Sequence, residues 1–437
     1  MLPTDAKGRL RLLPGWVPFR FFAAAVAFHL AGWLLLVAWP ERVSHFSGGT
    51  GPVLAALHAF TVGILTMVVI GASLQVLPVA TAQSARGARA AALVWWSLVP
   101  GAVLLVTGFA MQKSRLAAVG GLAVAFGLAV HAGLLTVSLA RVRRQRALTA
   151  HAWVALASLS VVIVSGPLLA FRLVYALPWL PVRLASMHLV AAGFGFVGML
   201  AVGFSSLLLS MFMVARGPTE ARQRGVFGVL VASLSTSLVA AVADLSSPWT
   251  ITAALPGLAA SIVHAHAMLG ILRRRRARDS GASVTLTGVA WMAFPVSIAA
   301  GVWALVGGSP QPFVALLVVS WLLSLVLGML LRILPFLTTV HLRFRHGALP
   351  SVRDLSCRGC ARLVVGGQSG AALLLPVGLA SGDASIVRIA ALSGLTGAFG
   401  LAAFSVMVVL RARAFSRAAG SRAPDLAEPG GEEVLRS

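Results

Sequence analysis

The sequence is poor in acidic residues, with 11 Asp and Glu against 35 Lys and Arg. Almost none of these carboxylates fall in its long apolar segments, which argues against a proton- or sodium-coupled carrier that relies on intramembrane carboxylates. The sequence also lacks a phosphate-binding glycine loop and any visible set of residues for a hydrolytic enzyme. Only two cysteines are present, Cys357 and Cys360, so no disulfide framework supports an exported domain.

What the sequence has in abundance is hydrophobic residues, 59% of the total, with a mean hydropathy of +0.93. A soluble globular domain does not reach this balance, so we predict a polytopic membrane protein surrounded by a lipid bilayer. The formal net charge of +24 comes mostly from arginines in short runs between apolar segments. That pattern is typical of topology signals and argues against nucleic acid as a partner.

Apolar segments of spanning length recur along the chain, and we predict an all-α fold with about 12 transmembrane helices. The predicted spans are 18–39, 53–79, 90–110, 116–140, 149–172, 184–214, 225–243, 249–272, 285–306, 312–340, 362–381 and 385–410. Basic residues are dense in alternate loops, so the positive-inside rule places both termini in the cytoplasm.

The chain also shows a coarse internal repeat. The fourth predicted span ends in VHAGLLTVSLARVRR and the eighth in VHAHAMLGILRRRR, each closing a group of four helices with an arginine cluster. We therefore expect three pseudo-symmetric four-helix repeats. The expected divisions are a cytoplasmic tail 1–17, repeats 18–147, 148–284 and 285–413, and a disordered cytoplasmic tail 414–437.

The second, sixth and tenth spans occupy equivalent places in these repeats. The second, LHAFTVGILTMVVIGASLQVLP, carries His58 near its start, and the sixth, MHLVAAGFGFVGMLAVGFSSLLLSMF, carries His188 near its start. The tenth, WLLSLVLGMLLRILPF, has no histidine there but repeats the glycine-to-proline spacing of the second. That spacing runs from Gly71 to Pro78 and from Gly328 to Pro335.

An imidazole inside a membrane span is costly unless it has a partner, so His58 and His188 are the first candidate functional residues. We expect them at equivalent depth on equivalent helices, where two neutral imidazoles facing each other could ligate a haem from both sides. Small residues would leave room for the flat macrocycle: Gly63, Gly71, Gly193, Gly195 and Gly198. The alternative is that each histidine hydrogen-bonds a neighbouring helix and the glycines serve close helix packing.

Three further histidines fall in the inner, cytoplasmic halves of the fourth and eighth spans. His131 aligns with His264 in the repeat, and His266 follows in a His-Ala-His spacing that points the two rings to different faces. These residues are candidates for a second metal or haem site or a proton path. The alternative is that they are interfacial imidazoles near the arginine clusters.

The loop after the tenth span, HLRFRHGALPSVRDLSCRGC, groups His341 and His346 with Cys357 and Cys360. These are the ligand types of a tetrahedral zinc site, although the order and spacing match no common finger. We weigh a structural metal against two ordinary reduced thiols, which we prefer for cytoplasmic cysteines.

Twelve helices in three four-helix arcs, with HAFTVGILTMVVIGASLQVLP in the second, resemble the catalytic subunit I of haem–copper oxidases and shorter relatives such as NnrS-type bacterial membrane proteins. In that family the second-helix histidine binds the low-spin haem, a role that the resemblance gives to His58. The sixth helix supplies a copper-site histidine, which His188 matches. The family's histidine pair on the seventh helix and His-x-His in the tenth are missing here.

The resemblance implies a haem-binding protein of a bacterial inner membrane without an intact oxygen-reducing centre. We expect one haem b between His58 and His188 near the periplasmic face, with Arg183 and Arg172 as partners for its propionates. Its role would be electron transfer, or respiratory or nitric-oxide-related metabolism with a redox partner protein or small cytochrome. The alternatives are a permease that carries copper or a small solute on the same histidines, and a cofactor-free assembly subunit.

Overall fold

The structure is a computed structural model of the chain. It describes residues 13–80, 87–142, 146–175, 177, 179–180, 183–243, 247–277, 281–346 and 350–421, without the side chains of 76–80, 146, 344–346 and 419–421. Within these ranges the secondary structure consists of helices and contains no strand. Twelve of the helices are long and apolar enough to cross a membrane, so the predicted all-α membrane fold is confirmed.

The spanning helices begin and end within a few residues of the predicted spans, with α5, α10 and α12 longer than predicted. In chain order their membrane-competent stretches are α1 Trp16–Ala38, α2 Pro52–Gln75, α3 Ala88–Ala110, α4 Ser114–Leu139, α5 Ala147–Tyr175, α6 Leu184–Met213, α7 Glu220–Val242, α8 Ser247–Arg273, α9 Gly281–Leu305, α10 Pro310–Arg343, α11 Arg358–Ser381 and α12 Ala384–Ala418.

The last helix differs from the prediction at its end. It continues to Ser421, eight residues into the stretch 414–437 that was expected to be disordered. That expectation is wrong for 414–421, because RARAFSRAAGS is rich in alanine and arginine, which favour helix. The remainder of the tail lies outside the described residues.

The helices α2, α6 and α10 form the centre of the bundle, and each contains one π-helical segment. The three segments are Ala59–Thr66, Ala191–Gly198 and Leu316–Leu323. The segments of α2 and α6 both contact that of α10. Extra-wide π turns are rare and concentrate at functional positions, so their recurrence marks the shared core of the repeat.

These π segments give the repeat a residue-level register. Gly71 lies 12 residues beyond the start of the first segment, and Gly328 lies 12 beyond the start of the third. Counting equally from Ala191 gives Gly203 in α6, which the glycine-to-proline pattern had not revealed because no proline follows it at that spacing. The three central helices are therefore structural equivalents.

Around the centre, the helices fall into three groups, here called rings, that share α2, α6 and α10. Ring A contains α2 to α6, ring B contains α6 to α10, and ring C contains α10, α11, α12, α1 and α2. Consecutive helices contact each other in all three rings; α10 closes ring B against α6 and ring C against α2, and in this way it also joins α2 to α6 beside ring A. A ring of five helices has room inside only where its side chains are small or turned away. The location of the open spaces therefore decides where a ligand can be held.

The glycines of α2 and α6 serve packing. A Cβ added at Gly63 would fall 2.4 Å from Phe28, and one at Gly193 would fall 2.9 Å from Leu317. Side chains likewise fill the positions beside Gly71, Gly195 and Gly198. The expectation that these glycines leave room for a macrocycle is wrong, because neighbouring helices already occupy that space.

Candidate functional site

His58 stands at the start of the first π segment and faces ring A. Its Nδ1–H donates to the backbone carbonyl of Leu54 at 2.9 Å, and its ring packs on Phe109 of α3 with centroids 4.8 Å apart. A carbonyl can only accept, so the hydrogen bond fixes the proton on Nδ1. Nε2 therefore keeps its lone pair, and this is the nitrogen through which a histidine with a bonded Nδ1–H binds metals.

His188 faces the same ring from α6. Its Nδ1 lies 2.8 Å from the Oγ of Ser165 in α5, and that hydroxyl donates its own proton to the carbonyl of Val161 at 2.7 Å. Because the single hydroxyl proton is already used, Ser165 accepts from the imidazole, and Nδ1 of His188 carries the proton. His188 therefore also presents Nε2 as a base.

The structure brings these two histidines together. They lie within electrostatic range of each other, inside the bundle, and both side chains keep some accessible surface. Each ring packs or hydrogen-bonds against a ring A helix, His58 on Phe109 of α3 and His188 on Ser165 of α5. Two neutral imidazoles that keep their Nε2 lone pairs are the ligand type of a bis-histidine haem site.

The expected equivalence of the two histidines is wrong by two residues. His58 immediately precedes its π segment, whereas His188 stands three residues before Ala191. Two residues turn a helical side chain by about 200° and move it by about 3 Å along the axis. The strict equivalent of His58 is Val190, which lines a cavity of ring B. The offset is what returns His188 to ring A.

One glycine that the sequence did not point to lies beside His188. A Cβ added at Gly166 of α5 would have a single heavy atom of another helix within 4 Å, Cε1 of His188 at 3.4 Å. An alanine there would just touch the imidazole, and a larger side chain would meet it. No periodicity marks Gly166, because its role depends on a helix packed against it.

The two arginines proposed as propionate partners lie in different places. Arg172 follows Ser165 by seven residues in α5, so it lies on the same helix face about 10 Å nearer the end of the span. Arg183 caps the start of α6 and lines the cavity of ring B. Arg172 is therefore the arginine positioned above the histidine pair.

Ring B encloses a cavity of about 480 Å³ with an aromatic wall. Phe294 and Trp321 stack there with centroids 4.0 Å apart, and Phe194 packs beside Trp321. Among the described residues that line it there is no histidine. A haem–copper centre needs several histidines in one compartment, and this cavity does not provide them.

The other candidate histidines do not converge as the repeat suggested. His131 is buried in α4, and neither ring nitrogen has a hydrogen-bond partner among the described residues. His264 is buried against Trp291, and its Nε2 lies 3.2 Å from the Oγ of Ser205 of α6, whereas His266 is exposed. The two rings of the His-Ala-His sequence therefore do point to different sides of α8.

His264 instead approaches His151, a residue to which the sequence gave no role. The two lie within electrostatic range, and His151 packs on Phe227 with centroids 4.7 Å apart. The Nε2 atom of His151 has no partner among the described residues. The signal was missed because His151 stands at the start of a span, where an imidazole is ordinary.

The expected zinc ligands after α10 are not assembled. The sulfurs of Cys357 and Cys360 are joined in a disulfide, so the prediction of two reduced thiols is wrong for this structure. The ring nitrogens of His341 lie 2.7 Å from the carbonyl oxygen of Leu337 and 3.2 Å from that of Leu13, and a neutral imidazole donates to one of the two. The side chain of His346 lies outside the described residues.

Over the described part of the chain, no three side chains of His, Cys, Asp or Glu come together as a metal-binding group. A bare copper or zinc ion draws three or four protein ligands. A haem iron needs at most two, since the macrocycle supplies the other four. The donor set of His58 and His188 fits a haem better than a bare ion.

No protein-family model matches the chain, and no curated protein matches it significantly. The class of protein that the fold defines is a multi-pass, all-α membrane protein built around three central helices.

Proposed function

We propose that this protein is a membrane haem protein that holds one b-type haem between His58 and His188 in ring A. The observation that carries the proposal is the pair of Nδ1 hydrogen bonds, to Leu54 and Ser165, which leave a lone pair on each Nε2 that would hold the haem iron. Gly166 keeps the side chains of α5 off the His188 ring. When bound, the haem supplies a one-electron redox couple.

The chain's own residues would fix that haem in orientation and charge. Leu54 and Ser165 hold the two imidazoles in one tautomer, and Phe109 covers the His58 ring. Arg172 is placed to pair with a propionate, because a guanidinium matches carboxylate geometry. The absence of histidine from the described lining of the ring B cavity supports electron transfer over oxygen reduction.

We place this protein with the haem–copper oxidase-like membrane proteins, in a bacterial inner membrane with the His58 end toward the periplasm. The support is the three rings around α2, α6 and α10 and the arginine-rich loops at the opposite end. Electron transfer with a redox partner protein, in respiratory or nitric-oxide-related metabolism, is the role that a haem held by both His58 and His188 would serve.

The test is a reduced-minus-oxidised absorbance spectrum, with a pyridine haemochrome assay, on protein purified in mild detergent from haem-replete cells. We expect a low-spin b-type signal of one haem per chain. His58→Ala and His188→Ala should lose it, whereas His45→Ala should keep it, because His45 is exposed and bonds only to its own loop at the same end of the bundle.

A colourless wild-type protein would overturn the haem proposal. If such a preparation held stoichiometric copper that disappeared in His58→Ala and His188→Ala, the histidines would form a metal-transport path. If neither haem nor metal depended on them, the bundle would be an assembly subunit.

A further inference from the structure

A second large cavity lies at the opposite end of the bundle, away from the histidine pair. Its volume is about 670 Å³. It lies between the end of α6, the second half of α10, the starts of α9 and α11, and the segment 351–357. Four arginines line it: Arg332, Arg353, Arg358 and Arg362. Every charged side chain among the described residues of its wall is an arginine, and we call it the cationic cavity.

Two long helices begin at this cavity and add to its positive potential. Gly281 and Ser283 belong to the first turn of α9, and Arg358 and Ala361 to the first turn of α11. The first N–H groups of a helix have no partner inside it, and the helix dipole favours an anion there. Two such ends beside four guanidinium groups form a site for an oxyanion.

A buried hydroxyl gives an independent indication of a ligand. Ser283 lines the cavity, its residue is only 2% exposed, and its Oγ has no hydrogen-bond partner among the described residues. A serine in a helix ordinarily satisfies its hydroxyl on a nearby carbonyl, as Thr287 does with Ser283 itself. An orphaned hydroxyl is therefore available to donate to an anion.

The rest of the wall is apolar. Phe212, Leu331 and Phe336 contribute side chains from α6 and α10, next to the arginines at the boundary of the membrane-spanning stretch. Small hydrophilic anions gain nothing from such walls, whereas an amphiphile buries its chains there. Asp354 is not among the described residues that line the cavity; its carboxylate accepts from the backbone of Ser351 and lies within electrostatic range of Arg353 and Arg411.

We propose that this cavity binds the phosphate headgroup of an acidic membrane lipid, with acyl chains against the apolar wall. The guanidinium groups of Arg358 and Arg362 and the hydroxyl of Ser283 contact the phosphate oxygens. This site is independent of the histidine pair in ring A.

The test is native mass spectrometry of the full chain purified with equimolar phosphatidylglycerol and phosphatidylcholine. The wild type should retain phosphatidylglycerol preferentially, and Arg358→Gln and Ser283→Ala should each weaken that preference, the arginine variant by roughly tenfold. Arg224→Gln is the matched control: it removes the same charge at the same end of the bundle, from an exposed side chain paired with Glu220.

Equal preference in Arg358→Gln and wild type would overturn the site, as would an equal loss in Arg224→Gln, since retention would then follow net charge alone. Competition separates the two sources of phosphate. Displacement of the lipid by millimolar inorganic phosphate, at an ionic strength where chloride has no effect, would assign the cavity to free phosphate and overturn the lipid. Persistence of the lipid would support it.

Discussion

His188 and Ser165 join α6 to α5 through a hydrogen bond of 2.8 Å in which the imidazole is the donor. The serine proton is committed to Val161, so the direction of this bond is set by the neighbouring turn of α5. A small residue on a peripheral helix thus determines which nitrogen of a central histidine can act as a base.

We expect Ser165→Ala to weaken haem retention without unfolding the protein. Loss of a partner that orients a metal-bound histidine typically lowers affinity by about tenfold or more. The measurement is haem dissociation to apomyoglobin, with the reduced spectrum checked for a shifted band. Ser160→Ala is the control, because that hydroxyl bonds only to Leu156 in its own helix; an equal loss in both variants would argue against the assigned role.

Substitutions at Gly166 should be graded by size. Gly166→Ala should keep its haem, because a Cβ there makes an ordinary 3.4 Å contact with His188. Gly166→Leu should lose most of it, since the longer side chain would meet the imidazole. Gly133→Leu in α4 tests the general effect of leucine, because a Cβ there has no heavy atom within 4 Å. Full haem content in Gly166→Leu would show that the haem does not lie beside Gly166.

Gln75 ties the start of the described chain to the centre of the bundle. Its side chain accepts from the Leu13 N–H at 3.2 Å and donates to the Leu13 carbonyl at 3.1 Å. Gln75→Leu should lower stability by about 2 kcal/mol, because a buried N–H then lacks a partner. Thermal unfolding in detergent measures the change. His341→Ala should cost less, since the same carbonyl keeps its bond to Gln75.

The loop beside the cationic cavity should respond to acid. Hydrogen bonds from the hydroxyl and then the backbone of Ser351 lower the pKa of Asp354. A carboxyl with a lowered pKa stabilises the fold fully above its ordinary value of about 3.9, and that contribution is lost as the pH falls through the lower folded value. Lipid retention should therefore be constant from neutral pH to about 5 and fall only below about 4.

Asp354→Ala provides the comparison at neutral pH. This variant should show reduced lipid retention at pH 7, similar to the wild type in acid, because alanine has no side-chain oxygen to accept from the Ser351 N–H in the capping box. A loss of retention in the wild type between pH 7 and 5 would show that another group controls the loop.

Hydropathy was enough to predict the twelve helices, because a bilayer imposes length and composition on each span. The paired histidines were also recognisable, since few polar groups interrupt these segments. Sequence could not show that the glycines near them are filled by Phe28 and Leu317, nor that Gly166 is open. Those properties belong to packed pairs of helices and not to either helix alone.

The cationic cavity escaped prediction for a related reason. Its lining runs from Met211 to Phe404, so it joins residues almost two hundred positions apart. Arginines such as Arg358 and Arg362 read as topology signals when seen along the chain. Only the fold shows that they share a wall with Ser283 and with two helix starts.

The two-residue offset of His188 from Val190, the position equivalent to His58, has a consequence for how such bundles diversify. Each central helix borders two rings. Side chains two residues apart on such a helix face different rings. A histidine at position 190 in place of 188 would face the aromatic cavity of ring B and no longer ring A. A single scaffold of this kind can thus move a histidine between compartments by a small change of sequence while every helix stays in place.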